Sequence, residues 1–209
     1  MVYVTISGNI GTGKTTVLKR LESLLDHNSF DFITEPVEKW RSVKDETGKN
    51  ALDYFYTDPK KYAFNFQILC FITRLNQIQA VAQNNKHIIS ERSLEEDRHV
   101  FARKLNHGGL ISNIEYRTYC EWYSTQAIKP HLVFYIETPP SVCLDRLKQR
   151  DRQEEKVVGI EYLKSLDQFY SEWSMTTPIK LIRLNGLKTP DELADDIIQY
   201  LGDNRILLS

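Results

Sequence analysis

Along the chain, short runs of β-branched and aromatic residues alternate with longer stretches in which apolar residues return every three or four positions. These are the periods of buried strands and of amphipathic helices. Residues 2–6 (VYVTI), 31–34 (DFIT), 87–90 (HIIS), 132–136 (LVFYI) and 180–184 (KLIRL) read as five strands. The pattern predicts helices over residues 16–25, from Pro59 to about 84, from Ser93 to the break at Asn106–Gly109, over 113–128, from about Pro140 into the charged stretch 145–156, over 160–173, and from Pro190 onward. Asp58 before Pro59 and Thr189 before Pro190 are helix-start signals, with a capping side chain and a proline whose missing N–H is not needed there. Ser93 with Glu96, like Thr189 with Glu192, has the spacing of a capping box. Strands separated by helices return by crossovers, which favour a parallel sheet covered on both faces. An α/β fold with a five-stranded parallel sheet, spanning residues 1–209 as one domain without repeats or linkers, is therefore expected.

Composition narrows the class. A length of 209 residues allows a sizeable core, and a net charge of −1 argues against a general nucleic-acid binder, whose footprint is basic. Cys70, Cys120 and Cys143 are odd in number and widely spaced, which predicts reduced, non-ligating residues. No apolar run approaches the ~20 residues of a membrane span. The first strand begins at once, so no leader is expected and the cytosol is the expected location.

Chemistry enters at residues 8–15, Gly8, Asn9, Ile10, Gly11, Thr12, Gly13, Lys14 and Thr15, which fit G-x-x-x-x-G-K-[ST] between a strand and a helix. Glycines let successive N–H groups curl inward. The helix start adds positive dipole, Lys14 a charge for the β/γ-phosphates, and Thr15 a hydroxyl for Mg²⁺. The segment 8–16, Thr16 included, is thus a candidate site for the phosphates of a nucleoside triphosphate. In a parallel sheet, ligands sit beyond the carboxyl ends of the strands. Glu35 follows the second strand, and Glu91 with Arg92 the third, so these groups should converge on the phosphates. A lone carboxylate after a strand is ordinarily a solvated loop residue. Two beside a phosphate loop suggest phosphoryl transfer, one accepting a hydroxyl proton and one organising Mg²⁺, with Arg92 stabilising the transferred charge.

The order and spacing of Gly8 to Thr16, Glu35-Pro36-Val37-x-x-Trp40, Asn50-x-Leu52-x-x-x-Tyr56-x-x-Pro59, Phe66-Gln67, Glu91-Arg92-Ser93, Glu121-Trp122, Arg146-x-x-x-Arg150-x-Arg152-x-Glu154-Glu155 and Tyr162-Leu163 resemble the deoxynucleoside kinases. The resemblance covers nearly the whole chain. It implies a P-loop kinase fold, ATP and Mg²⁺ as donor and cofactor, a deoxynucleoside acceptor and a homodimer. It also assigns roles. Glu35 resembles the base at the 5′-hydroxyl, with Glu91 as the acid near Mg²⁺ and the alternative base, and Arg92 holding Glu35 and the phosphate. Tyr56 and Glu155 resemble the partners of the sugar 3′-hydroxyl. Trp40, Phe66 and Phe101 resemble walls around the nucleobase, although Phe66 also suits plain core packing. Gln67, Cys70 and Arg74 share one helix face, as do Asp97 and Phe101, and in the family these faces enclose the base. An Arg74–Asp97 ion pair without a ligand is the bland alternative.

Nine of the twelve residues 145–156 are charged, ordinarily a solvated helix face. Here Arg146, Arg150 and Arg152 resemble an arginine-rich lid, about 146–158, over ATP phosphates, with Asp151 where the family usually has glycine. The adenine-contacting loop is expected around 185–188. Thymidine-preferring relatives lack the Arg–Asp pair, so deoxycytidine and deoxypurines are the expected acceptors. Two other readings fit less well. A GTPase-like switch would need a D-x-x-G after a strand, which Asp45 to Gly48 does not supply, and an N-K-x-D element, which is missing at Asn85-Lys86-His87-Ile88. A nucleoside monophosphate kinase would bring an acceptor phosphate against Glu35.

Overall fold

The computed structural model describes residues 1–151 and 157–208. The five expected strands form, at β1 (Tyr3–Ser7), β2 (Phe30–Ile33), β3 (His87–Glu91), β4 (Leu132–Glu137) and β5 (Lys180–Asn185). They make one sheet in the order β2-β3-β1-β4-β5, with every pairing parallel. The order reverses around β1, so the loop after β1 opens at the switch point, flanked by the ends of β3 and β4.

Alternation along β1 divides its side chains between two layers. Val4 and Ile6 pack with Val17, Leu18 and Leu21 of α1 (Lys14–Leu24) and with Leu193 and Ile197 of α10 (Pro190–Asp203). Tyr3 faces the other way, toward Ile78 of α4 (Pro59–Ala82), beside Ile33 and Ile88. On that same side Val133 and Tyr135 of β4 meet Leu166, Tyr170 and Trp173 of α9 (Ile160–Thr176). Each fully buried aliphatic or aromatic side chain contributes about 1.5–3 kcal/mol relative to exposure.

The helix starts follow local chemistry. Asp58 accepts from the Lys61 N–H with Pro59 in the first turn, and Thr189 and Glu192 make both bonds of a capping box. A second capping box, Ser112 with Glu115, opens α7 (Asn113–Gln126). Ser93 is a correction. It stands at the N-cap of α5 (Leu94–Glu96) without a side-chain capping bond, because Glu96 turns inward to Arg92 and Tyr170. A π-helical segment, Asp97–Ala102, continues from α5 into α6 (Arg103–His107). Two short helices, α2 (Val37–Ser42) and α3 (Ala51–Thr57), lie in a stretch where the sequence pattern predicts none. The helix expected from about Pro140 into residues 145–156 forms as α8 (Pro140–Arg150).

All three cysteines are free, Cys70 and Cys143 buried and Cys120 half-buried. Among the described residues no helix is long and apolar enough to cross a membrane.

Candidate active site

The loop between β1 and α1 takes its shape from glycine. Gly8 and Gly11 have φ of 146° and 86°, and a Cβ at Gly11 would stand 2.5 Å from the Cys143 carbonyl oxygen. Only glycine allows both the left-handed turn and that approach. Asn9 pins the loop to α9 by donating to the Leu163 carbonyl at 2.9 Å, while its own oxygen accepts from the Ile10 N–H. Helix α1 begins at Lys14, two residues earlier than the pattern predicts, so the Thr15 and Thr16 N–H groups lie in its positive first turn. The Lys14 ammonium donates to the carbonyls of Gly8 (3.0 Å) and Asn9 (2.7 Å). Burial, then the nearby Arg92, lowers its pKa to about 8. The Thr15 hydroxyl lies 3.0 and 2.9 Å from the two Glu91 carboxylate oxygens. A hydroxyl and a carboxylate are the hard oxygen donors Mg²⁺ takes when phosphates and water complete its shell, so this pair fits that ion. Among the described residues no cluster of three or more His, Cys, Asp or Glu forms a metal cage.

Beside this loop a cavity of about 370 Å³ runs between α2, α3, α4 and the π-helical segment. Glu35 stands at the junction of loop and cavity. Its carboxylate lies 3.0 Å from Arg92 Nε and 3.6 Å from Arg74 Nη2. Burial alone would raise its pKa, but Arg92, Arg74 and Lys14 outweigh burial and hold the carboxyl below its ordinary value. Arg74 is 1% exposed and bridges outward from the chemistry. It donates to Asp97 at 2.8 Å and to the Glu91 carbonyl at 2.8 Å. The interhelical ion pair therefore forms, and both members line the cavity. Burial raises the Asp97 pKa against the pull of Arg74.

Trp40, Phe66 and Phe101 all line this cavity. Trp40 crosses Phe66 edge-on at 5.4 Å and donates its indole N–H to the Thr73 hydroxyl at 2.9 Å. Phe66 is also stacked on Phe55 at 4.7 Å, so it is both wall and core. Sequence reasoning passed over Phe55, which belongs to a helix too short to show a period. Phe101 lies under the Arg92 guanidinium, 4.7 Å from ring to carbon. The π-helical turn keeps Asp97 and Phe101 on one face, and such turns occur often at functional sites. Gln67 lines the cavity with Tyr56, and its buried side-chain oxygen finds no hydrogen-bond partner among the described residues, which leaves it available to a base edge.

A second cavity, of about 380 Å³, opens on the outer side of the loop between Thr16, Arg146, Arg150 and Lys188. Arg146 donates to the Thr12 carbonyl (3.0 Å) and to the Gly186 carbonyl (2.9 Å), tying the phosphate loop to the turn after β5. Both bonds go to backbone, and Arg146 also lines this second cavity beside the phosphate loop. Asp151 caps α8 with φ 47°, the left-handed conformation that glycine favours at a helix end, so the aspartate keeps the backbone shape a glycine would give. Arg152, Glu154 and Glu155 lie outside the described residues, and so do the expected places of Arg152 in the lid and of Glu155 at the sugar 3′-hydroxyl. Two further residues stand behind the site, Glu96 and Tyr170, both bonded to Arg92. The signal that could have found Glu96 is its place four residues after Arg92, masked by its fit to a capping box.

A sequence model described as deoxynucleoside kinase matches residues 4–206. A probable deoxycytidine kinase of fowlpox virus is 35% identical over 175 residues, 81% of this chain and 70% of that protein. Human mitochondrial thymidine kinase 2 is 32% identical over 81% of this chain, which spans 63% of that protein's length. Among solved structures, a deoxyadenosine kinase from M. mycoides with the product dCMP and a flexible dCDP bound superposes with a TM-score of 0.82. It covers 97% of this chain and 100% of its own at 23% identity, a likeness of fold.

Proposed function

The chain belongs to the deoxynucleoside kinase family, and from that premise we propose that it moves the γ-phosphoryl group of ATP onto the 5′-hydroxyl of a deoxynucleoside. ADP and a deoxynucleoside monophosphate leave. One observation carries the reading: Glu35 sits between the phosphate loop and the cavity, its carboxylate held by Arg92 at 3.0 Å and Arg74 at 3.6 Å. Held ionised at neutral pH, Glu35 orients the 5′-hydroxyl and accepts its proton as the O–P bond forms. Lys14, Arg92, Arg150 and the loop N–H groups neutralise charge on the phosphates, and Arg146 keeps the loop in shape. Thr15 and Glu91 would hold Mg²⁺, which would screen the β/γ-phosphate charge. Excluding water from this buried ring of charge strengthens each of these interactions and limits ATP hydrolysis.

Acceptor choice follows from what the cavity walls can pair. Ionised Asp97 only accepts, Arg74 only donates, and the Gln67 amide does both. This set suits an exocyclic amine beside a ring acceptor, as on deoxycytidine and deoxyadenosine, and leaves thymine O4 facing a carboxylate. Deoxycytidine and deoxypurines are thus favoured, with thymidine poorer by about 10²-fold or more in kcat/KM. Tyr56, and Glu155 in the family's manner, meet the sugar 3′-hydroxyl. Residues 1–209 act as one catalytic domain in the cytosol, where three free cysteines stay reduced. In the homodimer, α4 and α7 pack together and leave Ile72 and Trp122 exposed for a second copy.

ADP release with ATP and each of four deoxynucleosides, and with the four monophosphates, tests both levels. Thymidine as the best acceptor would overturn the base reading. Turnover confined to monophosphates would overturn the acceptor reading.

A further inference from the structure

Arg92 occupies an unusual backbone position. Its φ is 67°, in the left-handed region that a residue with a Cβ enters at a penalty of about 1–3 kcal/mol. Bonds on both sides hold it there: its N–H donates to the Ile6 carbonyl at 3.0 Å, and its carbonyl accepts from the Ser90 hydroxyl at 2.6 Å. Such a turn at the end of β3 throws the side chain back across the sheet end. Its guanidinium is then fixed from three directions. Nε lies 3.0 Å from Glu35, the face covers the Phe101 ring, and Nη1 donates to Glu96 Oε1 at 3.1 Å and to the Tyr170 hydroxyl.

The third direction is the unexplained one. Glu96 is fully buried and serves no helix cap, although its position is that of a capping residue. The same Oε1 that accepts from Arg92 accepts from the Tyr170 hydroxyl at 2.7 Å, while Oε2 finds no hydrogen-bond partner among the described residues. Tyr170, also fully buried, is locked in α9 between Tyr135, stacked at 5.7 Å, and Trp173. A carboxylate away from solvent costs several kcal/mol unless paired, and here its partners are one arginine and the Tyr170 hydroxyl. An apolar residue at 96 would leave Glu35 as the main charged anchor of Arg92. Arg92 would then swing with the carboxylate that has to change protonation state during turnover.

We propose that Glu96 and Tyr170 are positioning residues that hold the Arg92 guanidinium in the geometry required for phosphoryl transfer, independently of Glu35. The inference rests on the proposed kinase reaction. Neither side chain lines the substrate cavity, so both act through Arg92. A misplacement of about 1 Å in a charge-stabilising group lowers turnover by about 10²-fold. Glu96→Gln preserves shape and one accepting oxygen while removing the charge, and Tyr170→Phe removes only the shared hydroxyl.

The test measures kcat, the KM of ATP and of the preferred deoxynucleoside, and the melting temperature for Glu96→Gln, Tyr170→Phe, Arg92→Ala and the Arg92→Ala/Glu96→Gln double variant. Turnover should fall about 10- to 100-fold in Glu96→Gln and about 10-fold in Tyr170→Phe, with the deoxynucleoside KM changed less than about threefold. In the Arg92→Ala background Glu96→Gln should add no further loss, since its target is gone. A kcat within about twofold of wild type in Glu96→Gln, or losses that multiply in the double variant, overturns the inference. If the glutamine variant fails to fold, a kcat within about twofold of wild type in Tyr170→Phe overturns it equally. A wild-type chain that phosphorylates no deoxynucleoside overturns the proposed function instead, so the two failures are distinct.

Discussion

Replacing Asp97 by alanine should destabilise the protein about as much as, or more than, replacing Asp97 and Arg74 together. The Arg74 guanidinium is 1% exposed and the Asp97 side chain 5%, at 2.8 Å from each other. Removing one member of a buried pair costs about 3–5 kcal/mol because the other charge stays behind. Arg74 would keep Glu35 at 3.6 Å and the Glu91 carbonyl at 2.8 Å, which places Asp97→Ala at the lower end, about 3 kcal/mol. For a chain of this length that lowers Tm by about 6–12 °C. Arg74→Met leaves a buried Asp97 whose pKa is already raised, so the carboxyl takes up a proton and limits the loss to about 3 kcal/mol as well. In the double variant Arg74→Met/Asp97→Ala no charge of this pair is stranded, and Met fills the volume of the arginine stem. The remaining loss, a small void and an unmade bond to the Glu91 carbonyl, is about 2 kcal/mol. Thermal unfolding of the four proteins by circular dichroism gives the cycle, with an expected coupling of at least about 2 kcal/mol. The same double variant removes the acceptor-only group lining the cavity, so under the proposed acceptor reading its preference should move toward thymidine. An Asp97→Ala variant melting within about 2 °C of wild type would refute the reasoning, and so would single losses that simply add in the double variant.

The remaining predictions concern the reacting end. Glu35→Gln should lower kcat by at least about 10²-fold, near 2.7 kcal/mol of barrier, while nucleoside still binds; normal turnover there with none in Glu91→Gln would exchange the two roles. Lys14→Ala should abolish ATP-dependent turnover yet leave deoxynucleoside affinity unchanged by isothermal titration, since Lys14 faces the donor phosphates; a folded variant that loses the nucleoside contradicts that arrangement. Lys14 has its pKa lowered to about 8 by burial and by Arg92, so it loses its proton as pH rises through that value. The kcat/KM for ATP should therefore fall above pH 8, whereas kcat, measured with phosphates beside the ammonium, should stay level there; a limb near the ordinary lysine value in both profiles would contradict it.

The sheet was legible because each strand is a short apolar run bounded by breakers, and the phosphate loop because its glycines leave a spacing few other structures need. Glu35, Glu91 and Arg92 followed from the rule that parallel strands deliver ligands at their carboxyl ends. Short-range geometry was harder to read. Helices α2 and α3 are six and seven residues long, less than two full turns, so no period accumulates. Ser93 and Glu96 match a capping box letter for letter, but a buried guanidinium four residues upstream attracts Glu96 more strongly than a backbone N–H does. Arg146 belongs to a charged run that sequence alone reads as solvated face or lid, and no sequence pattern shows its bonds to the Thr12 and Gly186 carbonyls. Tyr170 is part of the apolar stripe of α9, where a phenol and a phenylalanine leave the same trace.

The two carboxylates at the ends of β2 and β3 differ less in sequence than in surroundings, and the surroundings support different roles. Glu91 presents both oxygens to the Thr15 hydroxyl at the start of α1, on the phosphate side. Glu35 is clamped through one oxygen by two guanidiniums: Arg92, which also bonds Glu96 behind the site, and Arg74, which also bonds Asp97 in the cavity wall. A base needs a free lone pair toward the acceptor hydroxyl and a charge that persists at neutral pH, and the clamp supplies the second without enclosing the carboxylate, whose side chain remains 25% exposed. Arg74 further joins acceptor choice to chemistry, because the guanidinium that orders Asp97 also lowers the pKa of Glu35. Under the proposed acceptor reading, a base that mispairs with Asp97 would disturb one of the two guanidiniums that keep Glu35 ionised. Discrimination can thus reach kcat as well as KM, which is where a cavity of a few polar contacts gains selectivity beyond the affinity of those contacts alone.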